Sequence, residues 1–148
     1  MENKKTYSLS EEELLKISFN IQKPCIIFLY GDLWTWKTTL SQILIKKLVQ
    51  KSYSITSPTY VYYNKYENIY HFDLYRLDTY DTFVSVWWEE ILNSQNDEIF
   101  LIEWPQILER YIQPDISIYI ENTENEKIRK YTFISHSEEN TIIPLCYE

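Results

Sequence analysis

Gly31-Asp32-Leu33-Trp34-Thr35-Trp36-Lys37-Thr38-Thr39 follows directly on the apolar run Cys25-Ile26-Ile27-Phe28-Leu29-Tyr30 and leads into residues 37–50, where apolar positions 40, 43, 44, 45, 48 and 49 recur with a helical period. The apolar run is β-branched and aromatic and is bounded by Pro24 and Gly31, the pattern of a strand buried in a parallel sheet. Strand, loop and helix make a βα unit, and the loop stands where a phosphate-binding loop belongs. In such a loop the backbone amides and the helix N-terminus surround a β-phosphate. Lys37 would neutralise β and γ oxygens, and the Thr38 hydroxyl would hold Mg2+. Gly31, Lys37 and Thr38 have the required spacing. Trp36 does not suit it, because the position before the lysine calls for glycine, and Trp34 occupies another place that favours a small residue. Each indole puts about ten heavy atoms where backbone must approach phosphate, and tryptophan is unsuited to the positive φ that glycine supplies. On the loop alone, Lys37 and its two threonines could equally begin an ordinary surface helix.

Working outward, Ser10 with Glu13 forms a capping box, Leu9 and Leu14 sit at staple positions, and Leu14, Leu15, Ile17 and Phe19 supply an apolar face, so the N-terminal segment reads as a helix. Tyrosine-rich alternation predicts strands near 60–66 and 69–75, after a break at Ser57-Pro58-Thr59. A helix is expected from about 79 to 93, and Glu98 to Ile102 reads as a second buried strand that finishes at Glu103. A short helix should follow Pro105, and alternating segments at 115–121 and 129–135 read as antiparallel edge strands around a polar turn at 122–126. The fold class is α/β, with a mixed parallel and antiparallel central sheet flanked by helices, in a single domain spanning 1–148.

Composition narrows the function. Fourteen Lys and Arg against 22 Asp and Glu give a net charge of −8, the wrong sign for direct nucleic-acid binding. No apolar run approaches the length of about 20 residues that a bilayer needs, and the charged N-terminus is not signal-like, so a cytoplasmic protein with no membrane association is expected. Cys25 and Cys146 form neither a disulfide framework nor a metal-ligand spacing. Two acids are candidates for work at the loop: Asp73, within His71-Phe72-Asp73-Leu74-Tyr75-Arg76-Leu77, and Glu103, at a strand end from which a carboxylate can reach Mg2+ or its water. Singly, each is more simply a solvated or ion-paired carboxylate. His71 and His136 read as structural, since no acid partner for His71 is evident in the sequence.

Taken in order, Gly-Asp-Leu-x-x-x-Lys-Thr-Thr-Leu at 31–40, Ser-Pro-Thr-Tyr at 57–60, Tyr-x-Phe-Asp-Leu-Tyr-Arg-Leu at 70–77 and Glu-Trp-Pro at 103–105 resemble the TsaE family of small bacterial P-loop ATPases over nearly the whole chain. The resemblance implies a P-loop NTPase-like domain that uses ATP and Mg2+. It also implies two partner proteins, TsaB and TsaD, assisted in forming N6-threonylcarbamoyladenosine at position 37 of tRNAs that read codons beginning with A. Carried over by position, Gly31, Asp32, Leu33, Trp34, Thr35, Trp36, Lys37, Thr38 and Thr39 form the nucleotide loop. Lys37 is its phosphate lysine, Thr38 and Glu103 are the Mg2+ ligands, and Asp73 is the acid that orients or activates water, although which acid serves as base stays open. Ser57 to Thr59 are similar to the family's loop near the γ-phosphate. Trp104 matches the tryptophan after the glutamate, or else simply packs.

The resemblance also changes the reading of the tryptophans. At 34, 36 and 87, three of the five, the family has glycine. The chain holds one glycine and no alanine, where about 7% glycine is ordinary, and its Ile, Asn, Tyr and Lys are those of A/T-rich coding DNA. This is the pattern expected if UGA, read here as tryptophan, encodes glycine in the source lineage, with Trp88 and Trp104 genuine. A degenerate loop, filled by Trp34 and Trp36 in a non-hydrolysing binding module of the same complex, is the alternative. A small kinase is disfavoured, because the arginines number only three.

Overall fold

The computed structural model describes residues 3–21, 24–32, 36–49, 63–77, 79–84, 98–136 and 141–144, with the backbone alone for 18–20 and 141–144. In chain order the elements are β1 (Asn3–Ser10), α1 (Glu11–Leu14), β2 (Ile17–Asn20), β3 (Cys25–Tyr30), α2 (Lys37–Val49), β4 (Tyr63–Tyr66), β5 (Ile69–Asp73), α3 (Tyr80–Phe83) and β6 (Ile99–Glu103). A 3-10 turn, Pro105–Leu108, precedes β7 (Ile116–Asn122), β8 (Ile128–Ser135) and β9 (Thr141–Pro144). Seven strands form one sheet in the order β1-β8-β7-β3-β6-β5-β4, and β2 pairs with β9 as a separate ribbon. The four inner strands β7, β3, β6 and β5 run parallel, and antiparallel pairs close both sides. The expected mixed α/β sheet is therefore present.

Alternation along the strands divides the interior in two. On one face Ile27, Leu29, Leu101, Ile118 and Tyr131 pack with Leu40, Ile43, Leu44 and Ile45 of α2. On the other, Phe28, Phe72, Phe100 and Ile102 pack with Phe83 of α3 and with Leu108. β3 is buried on both faces because each has its own cover, which is why its sequence shows no alternation.

Two expectations are corrected. The N-terminal helix is a single turn: the capping box forms, with Ser10 Oγ accepting from the Glu13 amide at 3.2 Å and Glu13 Oε1 accepting from the Ser10 amide at 3.0 Å, but Ile17 and Phe19 lie in β2. The capping signal marks a helix start and carries no information about length. Ahead of it, β1 pairs with β8 from Asn3↔Ser135 to Ser10↔Ile128, and thereby takes the sheet edge expected for 129–135. β7 is likewise not an edge, since it lies between β8 and β3 and pairs in parallel with β3. The described part of the helix expected over 79–93 is α3, and the remainder lies outside the described residues, as do Cys146 and Trp87. Among the described residues no helix is long and apolar enough to cross a membrane.

Cys25 is fully buried at the start of β3, and burial, reinforced by the Asp115 carboxylate, pushes its thiol up to about 12. The thiolate is the reactive form. Cys25 is accordingly expected to resist alkylation at pH 8 in the folded protein and to react once the chain is unfolded in urea, as followed by peptide mass mapping. Rapid labelling of Cys25 in the folded protein would mean that β3 is not held in a closed core.

Candidate active site

β3 ends at Tyr30, and the chain returns into α2 with Trp36 at the helix N-cap, its carbonyl accepting from the Leu40 amide at 2.8 Å. Lys37 is the first residue of α2 and is 5% exposed. Its Nζ donates back to the carbonyl oxygens of Gly31 at 2.5 Å and Asp32 at 2.8 Å, and lies 4.3 Å from the centre of the Trp104 ring. Burial lowers the Lys37 pKa, against the opposing pull of Glu103, Asp73 and Asp32. A desolvated cation at a helix N-terminus gains from an incoming anion, while the three nearby acids oppose that anion and favour a second cation beside it.

Glu103 ends β6 on the face that α2 covers, and is 2% exposed. Thr38 Oγ1 donates to its Oε1 at 3.5 Å, while Ser41 Oγ donates to Oε2 at 3.2 Å and also reaches the Lys37 carbonyl at 2.9 Å. His71 Nε2 meets Oε2 at 2.5 Å. Asp73 is the register partner of Glu103 across β5 and β6, and its Oδ1 accepts from the Tyr75 amide at 3.0 Å. The end of β6 is fixed from both sides: the Trp104 amide donates to the Leu29 carbonyl at 3.3 Å, and the Leu74 amide to the Glu103 carbonyl at 3.1 Å. Trp104 itself is left-handed, at φ 58 and ψ 57, a conformation costing roughly 1–3 kcal/mol for a non-glycine residue. That turn brings its indole over Lys37 and against Tyr75, with ring centres 4.8 Å apart.

Of the residues predicted for this site, Lys37, Thr38, Asp73 and Glu103 converge on the C-terminal ends of β3, β5 and β6, with Gly31 and Asp32 alongside. Thr39 follows in α2, half-buried, and Leu33, Trp34 and Thr35 lie outside the described residues, as does the Ser57–Thr59 segment. Trp36 behaves differently from expectation. Among the described residues positive φ occurs at Glu67 and Trp104, not at position 36. Trp36 avoids that conformation by capping α2, with its indole under the Arg129 guanidinium at 4.4 Å and packed against the α2 core.

Two participants escaped the sequence reading. His71, for which no acid partner was evident, has Glu103, and Ser41 was not singled out at all. Ser41 lies four residues after Lys37, on the same helix face. His71 lies two residues before Asp73, on the same strand face. Those periods were the available signals. Across the sheet from α2, a cavity of about 570 Å3 is lined by Tyr30, Gly31, Asp32, Trp104, Gln106 and Tyr119. There Tyr30 and Tyr119 stack at 4.5 Å, and burial with the Glu109 side chain pushes the Tyr30 phenol up.

The donor set that Thr38 and Glu103 offer is all oxygen, as a hard cation such as Mg2+ requires. Among the described residues no cluster of three His, Cys, Asp or Glu side chains could hold a metal alone.

The family model for the threonylcarbamoyl adenosine biosynthesis protein TsaE matches residues 4–131. A Rickettsia conorii protein named tRNA threonylcarbamoyladenosine biosynthesis protein TsaE is 35% identical over 141 residues, covering 89% of this chain and 78% of that protein. Its namesake from Borreliella burgdorferi is 37% identical over 106 residues, covering 66% of this chain and 75% of that protein. Among solved structures, Bacillus subtilis YdiB superposes with a TM-score of 0.61 at 21% identity, covering 93% of this chain and 88% of that one, a likeness of fold.

Proposed function

This chain belongs to the TsaE family of tRNA threonylcarbamoyladenosine biosynthesis proteins, and from that premise we propose that it is a single-domain, Mg2+-dependent ATP hydrolase that assists TsaB- and TsaD-like partners in forming N6-threonylcarbamoyladenosine on tRNA. The observation that carries the reading is the convergence of Lys37 and Thr38, from the first turn of α2, on Glu103 at the end of β6. Sequence places these groups 65 residues apart, and the parallel pairing of β3 with β6 brings them together.

In this reading the triphosphate lies over the N-terminus of α2. Lys37 exchanges its two loop carbonyls for phosphate oxygens and takes up the charge that develops on them. Thr38 and Glu103 would hold Mg2+, which would supply positive charge against the polyphosphate. In the same reading Asp73, which is beside Glu103 in register and partly exposed, orients water for in-line attack. Trp104 covers the lysine from the side and keeps bulk water from it. With a net charge of −8, the chain is suited to meeting proteins rather than the tRNA backbone.

One observation favours a second reading, a non-hydrolysing module of the same complex: Trp36 has a packed seat against Arg129, so the fold accommodates an indole in the loop. Reconstitution separates the two. With TsaB- and TsaD-like partners, tRNA and ATP, the chain is expected to be required both for the modified nucleoside and for ATP turnover. Modification that proceeds with no ATP turnover attributable to this chain would favour the module.

A further inference from the structure

We propose that His71 and Ser41 are positioning residues for the divalent-cation site, holding Oε2 of Glu103 so that Oε1 is turned toward Thr38. The inference rests on the reading of Thr38 and Glu103 as the pair that receives Mg2+. The terminal torsion of a glutamate is broad and nearly two-fold, so an unheld carboxylate presents either oxygen in any of many directions. Glu103 is 2% exposed, which leaves protein groups rather than water to settle its orientation. Two contacts fall on one oxygen: His71 Nε2 at 2.5 Å and Ser41 Oγ at 3.2 Å reach Oε2, while among the described residues Oε1 has the long 3.5 Å contact from Thr38. Oε1 is thus the oxygen left for a cation beside the Thr38 hydroxyl.

The hydroxyl proton of Ser41 is shared with the Lys37 carbonyl at 2.9 Å, so His71 is the stronger of the two holders. The ring also has one sensible way to donate. His71 is 0% exposed, and its Nδ1 finds no hydrogen-bond partner among the described residues, so a proton there would be buried without an acceptor. A proton on Nε2 is received by Glu103. Carboxylates that ligate metals are commonly held in this way by an outer partner, and loss of such a partner typically weakens metal binding by about 10–100-fold.

The first test needs no nucleotide. In the full chain with isotope-labelled histidine, the His71 ring proton is expected on Nε2, exchanging slowly and shifting in the Glu103→Gln and Ser41→Ala variants. Its loss in His71→Leu distinguishes it from the His136 signal. A proton on Nδ1, or a resonance indifferent to Glu103→Gln, would overturn the proposal. The second test reads the Mg2+ concentration needed for tight ATP binding. His71→Leu should raise it by about 10–100-fold, with ATP affinity in the absence of Mg2+ unchanged, and His71→Gln, which keeps an N–H donor of similar reach, should recover most of the loss. An unaltered requirement in His71→Leu, or a His71→Gln variant as impaired as His71→Leu, contradicts a positioning role. Should His71→Leu fail to fold by circular dichroism, His71→Gln and Ser41→Ala carry the measurement, the latter with a smaller shift in the same direction. Glu103→Gln separates the two readings. If it leaves the Mg2+ requirement untouched, the cation-site reading fails, while the ring-proton measurement still decides what His71 holds.

Discussion

Changing Trp34 and Trp36 together to glycine is expected to tighten ATP binding by on the order of 100-fold or more. A phosphate-binding loop works through backbone amides aimed at the phosphates, and each such charge-assisted hydrogen bond contributes about 1.5–3 kcal/mol. Glycine at both positions allows the positive φ and close backbone approach that aim those amides at the phosphates, and forfeiting two of those bonds costs at least about 3 kcal/mol, or roughly two decades of affinity. Against this stands the seat of Trp36 beside Arg129, whose cation–π contact is worth about 0.5–1 kcal/mol at a partly exposed site. The change should therefore lower stability slightly, and glycine remains acceptable at the N-cap of α2. Calorimetric titration of ATP into both proteins reads the effect directly. Equal affinities would mean that the loop reaches phosphate by a route indifferent to the indoles. Mass-spectrometric sequencing of the protein from its source bears on the same positions: glycine mass at 34, 36 and 87 is expected from the UGA reading, and tryptophan mass at 34 and 36 would end it.

Lys37→Ala is expected to lower ATP turnover by about 10²–10³-fold, the usual loss when one preorganised charge is removed from a developing anion. Its pH signature distinguishes this from general damage. Burial lowers the Lys37 pKa below its ordinary value of 10.5 in the free protein, and bound polyphosphate, by favouring the ammonium form, raises it again. ATP affinity is therefore constant below the free-state Lys37 pKa. It falls as pH rises through the window between the free and bound values, by up to about tenfold per pH unit. Because the free-state value is depressed, the decline sets in at lower pH than an ordinary lysine would give. In Lys37→Ala the decline should vanish. A wild-type affinity that stays flat through this window, or a Lys37→Ala variant that retains full turnover, would remove Lys37 from the mechanism.

What could be read from residues alone follows the range over which each signal acts. The unit of β3, loop and α2 was legible because an unbroken apolar run, a glycine and a helical period lie side by side. The placement of Lys37 and Thr38 followed from it, and the end of β6 at Glu103 was visible as the close of a second apolar run. β1 was not legible: Asn3–Ser10 is mostly polar and exposed, with Leu9 its buried residue, and it is a strand because β8 offers a free edge. The inner position of β7 was hidden for a similar reason, since its alternation suits any half-exposed strand, and only the tertiary pairing with β3 places it inside. The same limit applied at the site. His71 and Glu103 are 32 residues apart and Ser41 and Glu103 are 62 apart, distances over which no periodicity speaks. The left-handed turn at Trp104 also went unseen, since a tryptophan before proline gives no hint of positive φ, and it is the contacts with Leu29 and Lys37 that hold it there.

In the proposed function the first turn of α2 and the end of β6 together bind ATP with Mg2+. The most direct measurement is the affinity of the W34G/W36G variant for ATP, with and without Mg2+, beside the same protein carrying Glu103→Gln. Mg2+ is predicted to tighten binding when Glu103 is present and to have little effect when it is replaced. Binding that gains equally from Mg2+ in both proteins, or no binding in either, would contradict the account.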